Sequence, residues 1–158
     1  MNNKRMSYLS AITATLLLCS FVASAQCNEL RLGKIGIHLT EQCKVAWRII
    51  GNNVISTIDV SLPYPETCDF IRISGTNVIR VERYYDAWVV LIESHKKINF
   101  DEKEPRYDCD TKFKGLIVRD DGKVFLNPEV NGGSGCPPID RGRLAYISLA
   151  HDYVHIRE

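Results

Sequence analysis

The cysteine pattern constrains this chain most: Cys43 and Cys68, then Cys109 and Cys136, form two brackets of similar span, each around a run that reads as two strands and a turn. The second bracket is the clearer. Within it, residues 114–126 (KGLIVRDDGKVFL) place apolar strands on either side of Asp121-Gly122. That pair suits a two-residue type I′ loop, since Gly takes φ > 0 freely and Asp tolerates it. In the first bracket Val45, Trp47 and Ile49 share a face, Gly51-Asn52-Asn53 turns, and Val54, Ile58, Val60 and Leu62 share a face on the return. Pro63 and Pro65 then end the ladder, because proline lacks the donor a sheet requires. The expected pairing is Cys43 with Cys68 and Cys109 with Cys136, each closure contributing about 3 kcal/mol in the loop-entropy model. Pairing of Cys27 with Cys43 is the alternative. Either leaves one thiol over.

Disulfides require an oxidising compartment, and the start of the chain supplies the route to one. Residues 1–25 combine Lys4 and Arg5, an apolar run from about Ala11 to Val22, and Ala23-Ser24-Ala25, the pattern of a secretory signal peptide cleaved before Gln26. An uncleaved anchor fits less well, since Thr13, Thr15 and Ser20 interrupt a short run. Lipidation at Cys27 also fits less well, because Gln26 stands where a small residue is usual. Cys19 leaves with the leader, so five of the six cysteines remain. Residues 26–158 suffice for one β-rich domain with its own core and are few for two. Without Lys4 and Arg5, 18 basic residues stand against 19 acidic ones, a formal charge of −1. That balance gives no electrostatic reason to expect nucleic acid or an anionic membrane as partner, and no later segment is apolar enough for stable membrane insertion. The chain holds no Asn-x-Ser/Thr sequon.

The rest reads as short strands. Residues 29–39 alternate loosely around Gly33 and Gly36, which suggests one bent or bulged strand. Residues 70–74 and 78–84 flank Ser74-Gly75-Thr76-Asn77, with Ile71, Ile73, Ile79 and Val81 directed inward. The run 87–92 (AWVVLI) is apolar on both faces and should lie centrally or be covered twice. Residues 93–108 turn polar and read as a solvated connection, and 127–135 as a flexible loop. Near the end, a short helix is expected over residues 140–151, capped by Asp140, with Leu144, Ile147, Ala150, His151 and Val154 on one stripe, followed by an extended end; the alternation of Ala145, Ile147 and Leu149 makes a strand the alternative. The fold expected is mainly β: an antiparallel meander of about eight strands, a small barrel or sandwich, with at most one short C-terminal helix and disulfide staples.

Chemistry-bearing motifs are incomplete. His151-Asp152-Tyr153-Val154-His155 resembles H-E-x-x-H, where two histidines one helical turn apart converge on a metal ion, but Asp152 replaces the glutamate and no third ligand follows. The segment 132–136 matches G-x-S-x-G only until Cys136, and it follows a loop where that motif needs a strand. An odd cysteine beside His38, His95 or His151 would be needed for a thiol nucleophile. No carboxylate pair or phosphate cradle stands out, and no cofactor is implied.

Recognition residues are better represented. Arg83, Tyr84, Tyr85 and Trp88, with Arg80 and Glu82, crowd one hairpin edge, and such side chains combine large area with a polar handle. The loop 128–134 is a second candidate. The expectation is an exported, non-enzymatic protein-binding domain of the periplasm. Its partner would be a protein, with a cell-wall-degrading enzyme or toxin, met by an inhibitor or immunity protein, as the most concrete version. An envelope hydrolase or metal-dependent enzyme using His151, Asp152 and His155, and a structural envelope component, are the alternatives.

Overall fold

The structure, a computed structural model, describes residues 28–99 and 107–155. The leader at 1–25, Cys27 and the charged stretch 101–106 lie outside the described residues. Two antiparallel sheets carry the fold. The first is a meander of β1 (Glu29–Leu32), β2 (Ile35–Leu39), β3 (Lys44–Ile49) and β4 (Ser56–Asp59) in that spatial order. The second is built on two long strands, β7 (Ala87–Asn99) and β8 (Tyr107–Arg119), paired along their whole length. Short β5 (Asp69–Phe70) and β6 (Val81–Tyr84) pair with β7, while β9 (Val124–Leu126) and β10 (Asn131–Ser134) pair with β8. The fold is therefore mainly β, with ten strands among the described residues against about eight expected.

The apolar run in β7 explains the layering. Alternation sends Trp88, Val90 and Ile92 to one face and Ala87, Val89 and Leu91 to the other. The first set, with Leu116 and Val118 of β8, meets Ile35, Ile37, Leu39 and Val45 of the four-stranded sheet. The second, with Phe113 and Ile117, meets Tyr146, Leu149 and Ala150 of the short helix α1 (Arg143–Ala150). Both faces of the strand are covered, as its composition requires.

Both staples are present, Cys43–Cys68 and Cys109–Cys136. Cys43 holds φ at 57° and closes the turn between β2 and β3, donating its N–H to the Thr40 carbonyl at 3.0 Å while Thr40 bonds to Lys44 at 2.9 Å.

Several local expectations differ from the fold. Residues 29–39 form a hairpin rather than one bulged strand, because Gly33 at φ 58° lets Leu32 pair directly with Ile35. The turn at Asp121-Gly122 is a three-residue loop. Gly122 donates its N–H to the Arg119 carbonyl at 2.9 Å and sits at φ 90°, Asp121 stays outside the left-handed region, and Arg119 then bonds to Lys123. The polar stretch after Ile92 continues as strand, with Glu93 and Ser94 buried, since pairing with β8 satisfies its backbone whatever its side chains are. Residues 131–134 are strand β10 rather than loop. Ile73 is exposed at the turn of its hairpin rather than directed inward. Helix α1 starts after Gly142, not Asp140, whose carboxylate pairs with Arg80. Its buried side is Tyr146, Leu149 and Ala150, and Leu144 is exposed.

Gly115 of β8 decides how closely α1 approaches the sheet, because a Cβ there would stand 2.9 Å from the Cβ of Leu149. Asn127 secures the other end of the contact, its buried side-chain amide donating to the Leu149 carbonyl at 2.8 Å.

Candidate functional site

One end of the two sheets gathers side chains suited to recognition. Antiparallel register sets Arg83 opposite Trp88, and the guanidinium lies over the indole at 4.5 Å. The same guanidinium is held by both oxygens of Asp120, with Nη1 donating to Oδ1 at 2.9 Å. That pair holds the Asp120 carboxyl below its ordinary range and pushes the Arg83 guanidinium up. Arg119 forms ion pairs with Asp121 at 3.0 Å and with Asp86 at 3.4 Å. The four recognition residues do not form one patch. Arg83 and Trp88 face the four-stranded sheet, and Tyr84 packs on the opposite face toward α1. Tyr85 stands exposed in the turn between β6 and β7 at φ 48°, its ring 4.6 Å from that of Tyr84.

Beside Trp88 lies a feature that the residue-by-residue reading missed. The hairpin joining β3 to β4 exposes Ile49, Ile50, Val54 and Ile55, the last two at 66% and 63%. The Ile50 N–H anchors the loop to the Lys34 carbonyl at 2.8 Å, and Asn52 Oδ1 accepts from the Val54 N–H at 3.0 Å. Ile49 and Trp88 line one hollow of about 240 Å³, and Ile50 and Ile55 line another of about 590 Å³ on the side of Trp47. A signal for this was available. Consecutive apolar pairs on both sides of Gly51-Asn52-Asn53 cannot all face inward when side chains alternate, so half of them must face water.

The C-terminal histidines are not placed on one helical face. His151 follows α1 into a 3₁₀ turn, His151–Tyr153, and bonds to Asp152 at 3.2 Å, while His155 lies beyond it and donates its backbone N–H to Asp86 at 3.0 Å. Among the described residues no group of three or more His, Cys, Asp and Glu side chains is placed to hold a metal ion.

A second missed residue is Glu93, on the α1 side of β7. It is 4% exposed, and its Oε2 has no hydrogen-bond partner among the described residues. Burial pushes its carboxyl up to about 7, with Asp69 adding to the rise and Arg141 opposing it. No family model matches the chain, and no curated protein or solved structure matches it either.

Proposed function

We propose that this chain is an exported, non-enzymatic domain that binds another protein through the β3–β4 hairpin tip and the adjoining Arg83–Trp88 stack. The observation that carries the reading is the exposed apolar quartet Ile49, Ile50, Val54 and Ile55 on a short, anchored loop. Branched apolar side chains held in water gain by being covered, at about 25 cal/mol per Å². The charged network of Arg83, Asp120 and Arg119 beside them has the polar character of an interface rim. Export through a cleaved leader at 1–25 and residence in the periplasm agree with two closed disulfides. In its most concrete form the partner is a cell-wall-degrading enzyme or toxin, and occupation by the hairpin tip inhibits it.

The test is site-specific photocrosslinking in the producing cell, with the photoreactive residue at Val54 or Ile55 and, as control, at the exposed Ser148 on α1. A discrete heavier adduct from 54 and 55 that is missing from 148 supports the reading. No adduct from either hairpin position, or equal adducts from all three, overturns it. Assaying cell-wall hydrolases with and without the purified protein then tests inhibition directly.

A further inference from the structure

A cavity of about 450 Å³ opens beside β5 and β7, lined in part by Asp69, Arg72, Glu93 and His95, with Pro137 and Pro138 as apolar walls. It lies on the stretch of β7 beyond Ile92, five to seven residues from Trp88, or roughly 17–23 Å along the strand. It is therefore separate from the hairpin tip.

Donors and acceptors in this cavity are unevenly matched. Arg72 supplies the guanidinium, and each of its nitrogens is engaged: Nε donates to Asp69 Oδ2 at 3.4 Å, Nη1 to the Asn77 carbonyl at 2.7 Å, and Nη2 to Asp69 Oδ1 and to Asn28 Oδ1, each at 3.1 Å. Thr67 Oγ1 is also saturated, donating to the His95 carbonyl at 2.7 Å and accepting the His95 N–H at 2.8 Å. Of the side chains lining the cavity, two have a buried atom without a partner among the described residues, Glu93 Oε2 and His95 Nδ1, while outside the lining Arg141 Nε and Nη2 and Tyr146 Oη also lack one. Burial and the charge of Lys97 both disfavour the imidazolium form of His95, so Nδ1 can act as an acceptor. In the cavity lining itself, what remains unmatched is acceptor capacity, chiefly on Glu93, which is 4% exposed. The charged or titratable groups around Glu93 are Asp69 across the ladder, Arg141 ahead of α1, Tyr146 on α1 and His95 two residues along.

We propose that this cavity binds a primary ammonium carried on an aliphatic stem, with Glu93 as its counter-charge and His95 Nδ1 as a second acceptor. An ammonium group brings three donors and no acceptor, which complements the two unpartnered atoms. Its methylenes meet Pro137 and Pro138, much as a lysine stem lies along apolar surface. The ammonium can come from a free amine or from a lysine side chain of a peptide.

The experiment uses the oxidised protein, titrated calorimetrically with 1,5-diaminopentane, with N-acetyl-lysine methylamide and with neutral 1-pentanol, at pH 8 and pH 5.5. Binding needs ionised Glu93, so the apparent affinity should fall about 30-fold between the two pH values. Glu93→Gln should abolish binding and its pH dependence at once. In the wild-type protein, the Glu93 carboxyl followed by ¹³C NMR should titrate at lower pH when amine is bound, a readout that needs no variant. Binding of the diamine indicates a free amine as source, and binding of the lysine derivative alone indicates a peptide. Equal binding of pentanol, affinity unchanged in Glu93→Gln, or no binding of either amine at millimolar concentration overturns the proposal.

Discussion

Replacing Glu93 by glutamine should make the protein more stable at alkaline pH and change little at acid pH. The buried carboxyl holds its proton up to about 7, against 4.5 for a free side chain. Between those values the unfolded chain has lost the proton and the folded chain retains it, so stability falls as pH rises through this window. At about 1.4 kcal/mol per pH unit the wild-type protein loses about 3 kcal/mol from this group by pH 8. Glutamine keeps the shape without the titration. Below pH 4.5 the two proteins should unfold within about 1 kcal/mol of each other. At pH 8 the variant should exceed the wild type by about 3 kcal/mol, or about 10 °C in Tm. Urea unfolding of both proteins at half-unit steps from pH 4 to 8.5, disulfides intact, gives the difference curve, in which groups common to both cancel. A flat difference, or a wild type more stable than the variant at pH 8, would refute the reasoning.

Gly115→Ala should destabilise by about 1–3 kcal/mol, because its Cβ displaces Leu149 and α1 with it; near-UV circular dichroism and urea midpoints report both effects. Replacing Cys109 and Cys136 together by serine should cost about 3 kcal/mol from the loop closed across a separation of 27 residues. Non-reducing peptide mapping should recover this link and the Cys43–Cys68 link as separate species. Tyr85→Gly should leave stability equal or raise it by about 1 kcal/mol, since glycine occupies φ 48° without strain; a loss above 1 kcal/mol would mean that the ring contact with Tyr84 outweighs the backbone term. Val54→Asp with Ile55→Asp should leave unfolding midpoints unchanged and abolish the crosslink from neighbouring Ile50.

The sequence made the sheets legible where composition and position agree. The two-sided apolar run of β7 announced a strand covered twice, and the cysteine brackets matched the two disulfides, Cys109–Cys136 beside the paired strands β8 and β10 and Cys43–Cys68 between the two sheets. It misled where one residue type serves two environments. Glu93 reads as the start of a solvated connection, yet it is in register with Asp69 and Phe113 in a ladder that continues, and nothing local distinguishes a buried glutamate from an exposed one. Asp120, Asp121 and Gly122 signalled a reversal correctly, but one residue of loop length separates the two hairpin turn types. Arg83 and Trp88 were recognisable as neighbours at one hairpin edge. Tyr84 was not separable from them, because the parity that sends it to the α1 face depends on which residues occupy the turn.

The long pairing of β7 with β8 has a further consequence. Two 13-residue strands would offer long, nearly straight rows of unpaired amide groups at their outer margins. Such rows are templates on which another chain can add a strand and begin to aggregate. Here β5 and β6 divide the outer margin of β7 from Ala87 to Glu93, and β9 and β10 that of β8 from Asp110 to Val118, none of the four longer than four residues. The outermost strands of the other sheet, β1 and β4, are also four residues long. Along these stretches a foreign strand finds register for only a few bonds before the edge changes chain segment. The paired part of the central hairpin is thereby kept from acting as a seed for cross-chain pairing.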